Sequence, residues 1–180
     1  MQEFQKLFNL LLKDIRIELN DEFDRNFERK AFFNIAWKPA MRNDTGSLMI
    51  RSGTLRKSIF GDNGMPVAQI QNASIVWRSN MPYADIHNSG GTITVTAKMK
   101  RFFWYRFRMA TGGDNKNLNA EALYWKAMAL KKVGSRIVIP KRQFIGDHPQ
   151  VRKYINIVAD EWFNNDVKSF IDKRLNNIVT

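Results

Sequence analysis

The sequence predicts an α+β fold: an antiparallel sheet of about four to five strands flanked by long N- and C-terminal helices, with a helical insertion. Three observations lead there. Apolar stripes of helical period run through about the first thirty and the last thirty residues. Between them lie short β-branched or alternating runs separated by glycine, asparagine and aspartate turn signals. Strand-like and helix-like segments are grouped rather than alternating, which separates α+β from α/β.

The first helix is expected from Gln2 to about Lys30, because Phe4, Phe8, Leu11, Ile15, Leu19, Phe23 and Phe27 recur in steps of three and four. It would be about 43 Å long at ~1.5 Å per residue. Trp37-Lys38-Pro39 ends the helical region, since the residue before proline is pushed toward extended backbone. Asn43 to Gly46 reads as a turn. After Gly53, Leu55, Lys57 and Ile59 alternate with Arg56 and Ser58, the pattern of a half-buried strand. Gly61 to Gly64 is a second turn. Strands over Val67–Gln71 and Ser74–Arg78, joined by Asn72-Ala73, complete an expected meander.

Pro82 opens a short helical turn that Gly90-Gly91 stops, and Thr92–Thr96 is β-branched throughout. A helix from Lys98 to Met109 places Met99, Phe102, Phe103 and Phe107 on one face. Lys98, Arg101, Tyr105 and Arg108 fall largely opposite, with Trp104 left between. Asn119 caps a helix from Ala120 to Lys132 whose apolar face holds Leu123, Ala127 and Leu130. Arg136–Ile139 is the last strand. From Pro149 a C-terminal helix runs close to Asn177, with a break near Asn164-Asn165. Residues 1–180 read as one domain with a basic helical insertion at about 97–134.

Composition narrows the chemistry. The chain has no cysteine, so disulfides and thiolate metal sites are excluded, and His87 and His148 are its only histidines. No stretch approaches the ~18 apolar residues of a membrane span, and no signal peptide is apparent, so a cytoplasm-like compartment is expected. The net charge is +12, and +10 of it lies between Ala97 and Arg142, where twelve bases meet only Asp114 and Glu121. An acidic partner is one reading of that asymmetry and solubility is another.

No hydrolase signature accompanies these features. Ser52, Ser58 and Ser89 lie in no nucleophile elbow, and Asp85 and Asp147 are isolated in sequence. His87 reads as a hydrogen-bonded structural residue near a helix end, and Asp147-His148-Pro149 as a helix cap whose aspartate accepts free N–H groups. The basic aromatic segment suits either packing or base stacking. Packing accounts for most of its rings.

Three short blocks in order bear a further resemblance. They are Ile50-Arg51-Ser52-Gly53-Thr54-Leu55-Arg56-Lys57-Ser58-Ile59, Pro82-Tyr83-Ala84-Asp85-Ile86-His87-Asn88-Ser89-Gly90-Gly91, and Ile139-Pro140-Lys141-Arg142-Gln143-Phe144-Ile145-Gly146. Together they resemble the phage virion morphogenesis family, the Mu G-protein-like tail-completion proteins of long-tailed bacteriophages and prophages. The positions that carry the likeness are Ser52, Gly53, Leu55, Ser58, Tyr83, Ala84, His87, Gly90, Gly91, Pro140, Arg142, Phe144 and Gly146. The excursion from Lys98 to Lys132 departs from the family's shorter members.

The resemblance implies a structural protein of the tail or neck, without catalytic residues, cofactor or metal. It implies a homo-oligomeric ring, often six-fold, touching other tail or neck proteins near DNA and away from membranes. Such a protein works in the bacterial host cytoplasm during assembly and then in the virion. Lys98, Lys100, Arg101, Trp104, Arg106, Arg108, Lys131 and Lys132 form the expected partner-contact surface. An alternative is a nucleic-acid-binding protein that uses the aromatic and basic segment 98–142.

Overall fold

The structure is a computed structural model that describes residues 2–40, 48–50, 52–61, 68–114 and 118–179. Its axis is helix α1 (Gln2–Arg29). Ile15, Leu19, Phe23 and Phe27 of the expected stripe are buried, whereas Phe4 at its start is 63% exposed. The stripe therefore extends beyond the body that covers it. Positive φ at Lys30 turns the chain into a tight antiparallel hairpin, β1 (Ala31–Phe32) and β2 (Ile35–Ala36), which the sequence reading did not anticipate.

Thr54–Phe60 forms helix α2, not the expected strand. Leu55, Ile59 and Phe60 are its buried side chains, a helical spacing of four and one. Over five residues the same Leu55 and Ile59 also satisfy a two-residue period, so periodicity alone cannot separate the alternatives. Tertiary pairing favours the helix. Arg56 reaches both Asp24 and Glu28, acids one turn apart on α1, and those hydrogen bonds raise its pKa, the one to Asp24 most.

The expected meander is consequently a single hairpin, β3 (Gln69–Gln71) and β4 (Ser74–Val76). Its two-residue turn holds Asn72 and Ala73 at φ of 47° and 59°, the left-handed pair that a tight hairpin needs. Helix α3 (Ala84–Ser89) follows, then β5 (Gly91–Thr94). Helices α4 (Ala97–Ala110) and α5 (Ala120–Leu130) come next, capped by Thr96 and Asn119. Strand β6 (Arg136–Ile139) returns beside β5, with Gly91 opposite Ile139 and Thr94 opposite Arg136.

Among the described residues the strands thus make three separate two-stranded antiparallel ladders, in place of one sheet of four to five strands. Helix dominates a mixed helix and strand architecture. The turns expected at Asn43–Gly46 and Asp62–Gly64, the start of the strand at Val67, and the polar loop at Asn115–Asn117 lie outside the described residues.

Helix α6 (Pro149–Trp162) runs back along α1, so that Tyr154 lies by Glu22 and Trp162 by Asp14 and Ile17. Burial, then Glu22, raises the Tyr154 pKa. The Glu22 carboxylate is itself buried and takes Arg25 and Arg29 as ion-pair partners. The cap of α6 corrects the sequence reading in its detail: Nδ1 of His148 accepts from Gln150 N at 3.2 Å, while Asp147 pairs with Arg152. The break expected near Asn164-Asn165 is a π-helical turn (Phe163–Val167) that leads without interruption into α7 (Lys168–Val179). No helix among the described residues is long and apolar enough to cross a membrane.

Candidate functional site

The three blocks meet. Leu55 from the first, Ala84 from the second and Phe144 from the third belong to one buried cluster with Phe27, Phe23 and Trp37. Backbone and amide bonds then tie them. Arg142 N donates to His87 O at 2.8 Å. Asn88 Oδ1 accepts from both Phe144 N and Ile145 N, at 2.9 and 3.2 Å. Asn26, fully buried on α1, donates through Nδ2 to Phe144 O at 3.1 Å and accepts from Phe33 N at 2.9 Å. Trp37 Nε1 donates to Gln143 O at 2.6 Å. A buried backbone group left without a partner costs about 1–3 kcal/mol, so these amides secure a segment that has no ladder of its own.

Individual block residues serve that junction. Gly53 takes φ of 71° where α2 begins, and Ser52 Oγ lies 2.8 Å from Thr54 Oγ1. Ser58 Oγ donates to Leu55 O and lies 2.7 Å from Ser79 Oγ. Gly91 packs on Ile86, and Gly146 passes Gln143 at φ of 141°. Pro140 follows the last residue of β6. Tyr83 is 40% exposed and meets the His87 ring edge-on at 6.0 Å. Arg142 is buried and donates to Lys38 O at 3.1 Å and Pro39 O at 3.4 Å. Burial lowers its pKa from the ordinary arginine value.

His87 departs from the expected hydrogen-bonded residue in one respect: its Nδ1 is buried without a hydrogen-bond partner. Among the described residues no carboxylate is bonded to Nδ1, the contact that would orient the ring of a nucleophile-activating base. Burial, and secondarily the Arg142 charge, hold its pKa below 6.5. The neutral form is favoured in the fold. Its contribution to stability is therefore present above about pH 6.5 and is lost as the pH falls through the lowered folded value. Thermal denaturation between pH 7.5 and 5.0 should show Tm falling with acidification, and falling less steeply in His87→Gln. Equal slopes would remove His87 from the account.

The expected contact residues sit on a helical arm. Helices α4 and α5 pack extensively on each other and only sparsely on other elements, and the β5–β6 ribbon joins them to the body. Phe103, Phe107, Ala122 and Ala129 are the arm's buried seam. Lys98, Arg101 and Arg108 are exposed along α4, as is Trp104, with Lys132 exposed and Lys100 and Lys131 half-exposed. Arg106 is engaged: it pairs with Glu121 at 3.2 Å and lies over the Trp125 ring.

Two faces differ from expectation. Phe102 is 51% exposed and joins Lys98, Arg101, Tyr105 and Arg108 in an outward stripe of mixed basic and aromatic character, although its ring edge touches Phe103 and Trp125. The apolar face of α5 also points outward, with Leu123 51% and Leu130 63% exposed and Ala127 beside them. An amphipathic stripe is present on each helix, but nothing in the described chain covers those two.

Sequence reasoning also missed two concavities, because each is assembled from segments far apart in the chain. One is an open apolar cleft of about 700 Å³ between α1, the β3–β4 hairpin and α6, lined by Leu12, Ile15, Phe23, Trp77 and Val151 among others. The second, a groove between α1 and α6, is acidic and is described below. Among the described residues no three histidine, aspartate or glutamate side chains could together hold a metal ion. No family model, curated protein or solved structure matches the chain.

Proposed function

We propose that this protein is a structural, non-catalytic assembly protein of a bacteriophage or prophage virion, acting in tail completion or at the head–tail neck as a homo-oligomeric ring. The observation behind it is the division of labour between junction and arm. Residues of the three ordered blocks spend their polar groups on backbone ties, while the arm rooted there turns apolar and basic side chains outward. Contiguous exposed apolar surface is costly for a free monomer and fits a surface made for protein contact. The host cytoplasm during assembly, then the tail or neck, is its place in this reading.

Deleting the gene from its phage or prophage genome is expected to leave filled heads and tails that are unjoined or unfinished by negative-stain electron microscopy. Normal infectious particles lacking the protein would overturn the reading. A second reading, nucleic-acid binding, draws on the outward α4 stripe, where bases and rings alternate as a single-strand platform needs. It requires affinity for a 30-nucleotide single strand that falls with salt by about 0.7 log units per log unit for each phosphate contact.

A further inference from the structure

We propose that the basic, aromatic face of α4 in one copy docks into the α1–α6 groove of the next copy, a head-to-tail contact. The inference rests on the ring reading above and names its interface.

The groove has a volume of about 340 Å³ and an apolar floor of Ile17, Val158 and Trp162. Its rim carries Asp14, Glu18, Glu161 and Asp166, and among the described residues no cation lines it. None of these four carboxylates forms an ion pair among the described residues. The π-helical turn forms one end of the groove, supplying Asn165 and Asp166. Such turns recur at functional sites because the inserted residue re-aims its neighbours.

The α4 face is its complement. Lys98, Arg101 and Arg108 follow one another at steps of three and seven along the helix, with no ion pair among the described residues. Phe102, Tyr105 and Met109 stand beside them, all exposed. Lys98 to Arg108 spans about 15 Å and Val158 to Asp166 about 12 Å, at ~1.5 Å per residue. Apolar side chains thus meet an apolar floor while three cations meet four carboxylates, over matching lengths.

A second copy is the occupant the chain itself supplies. The arm's extensive packing is between α4 and α5, and that of α1 is with α6, so the arm does not fill its own groove. Every copy then offers one arm and one groove on different elements. Docked head to tail without reciprocation, such a heterologous contact propagates into a closed ring or an open chain. Opposite potentials on the two faces also steer encounter and reject like-charged alignments.

The test uses the full chain in sedimentation velocity at low and high salt. One variant reverses the arm (Lys98→Glu, Arg101→Glu, Arg108→Glu) and another the groove (Asp14→Lys, Glu18→Lys, Glu161→Lys). All six side chains are exposed or half-exposed, and circular dichroism checks each fold. Wild-type protein is expected to form a multi-subunit species that weakens at least ~10-fold between 50 and 500 mM salt. Each reversed variant alone should sediment as a monomer. Their equimolar mixture, and the chain carrying all six changes, should regain the wild-type mass, because a reversed arm then faces a reversed groove.

Wild-type mass in either single-surface variant overturns this interface and leaves the ring reading standing. Failure of both the mixture and the six-fold variant to reassemble also overturns it. A monomeric wild type at ~100 μM removes the self-assembly on which the docking rests, whereas the deletion phenotype still tests the virion role. An arm-reversed variant that keeps its mass but loses affinity for a 30-nucleotide strand assigns the face to nucleic acid instead.

Discussion

Phe27→Ala is expected to destabilise the protein by about 3–5 kcal/mol, the range for truncating a buried phenylalanine where the surroundings cannot collapse. Phe27 is fully buried, and three rings press on it: Trp37 at 5.6 Å, Phe60 at 5.8 Å and Phe144 at 5.3 Å. Each ring comes from a different segment, and each segment is fixed by other ties. Trp37 is held through its indole to Gln143 O, Phe60 by α2, and the Phe144 backbone by Asn26 and Asn88. Inward relaxation would break those hydrogen bonds, so a cavity remains. For a chain of this length the loss corresponds to a fall in Tm of about 10 °C. Phe4→Ala, at the exposed start of the same stripe, should stay within about 0.5 kcal/mol. Urea denaturation of the two variants provides the comparison, and similar losses would show that the core is not centred on Phe27.

Gly90→Ala should be the most damaging change at the root of the arm, at about 3 kcal/mol. Gly90 holds φ of 74° and ψ of 174°, backbone that is essentially reserved for glycine. A Cβ placed there would lie 2.8 Å from Lys141 N and 3.0 Å from its Cα. Those are backbone atoms, so no rotamer change relieves the contact. The strand pair must separate, and the bond from Arg142 N to His87 O lies close by, one residue from Lys141 and three from Gly90. Gly112→Ala is the control: φ is 63° but no atom stands within 4 Å of the added carbon, and only the left-handed cost of about 1 kcal/mol applies. Hydrogen exchange should show loss of protection at the Arg142 amide in Gly90→Ala alone. Unchanged protection would mean that the ribbon root adapts.

Long periodic segments with caps were readable from the sequence. The stripe from Ile15 to Phe27, the Asn119 cap and the β5–β6 strands each carry a local signal, and the described chain has each of them. The segment from Leu55 to Ile59 was not, because a run of five residues fits both periods and Asp24 and Glu28 decide between them from about thirty residues away. Strand number failed for a related reason. Alternation marks a strand but says nothing of its neighbours, and runs of two to four residues found only one neighbour each.

At the candidate site, glycines and buried phenylalanine were legible as motif positions, whereas the amides that bind the blocks together were not. Asn26 and Asn88 look like ordinary polar residues in a helix until Phe144 is brought to them. The outward faces of α4 and α5 mark a different boundary. A stripe such as Leu123, Ala127 and Leu130 announces that something apolar will cover it, not that the cover comes from the same molecule.

The π-helical turn settles a question of phase. Along α6 the inward positions Val151, Ile155, Val158 and Trp162 recur every three or four residues, but the next is Val167, five residues on. An uninterrupted α-helix would carry Val167 well to the side of Trp162, whereas a turn that closes five residues apart returns it to the same side. Val167 and Phe170 are accordingly half-buried while Asp166, Lys168 and Ser169 are exposed. The turn acts as a vernier, absorbing one surplus residue so that two lengths of helix share one bearing. Removing a single residue between Phe163 and Asp166 would make the vernier unnecessary and let plain α-helix keep the same bearing, whereas the same deletion in the middle of α6 would swing every later side chain off it.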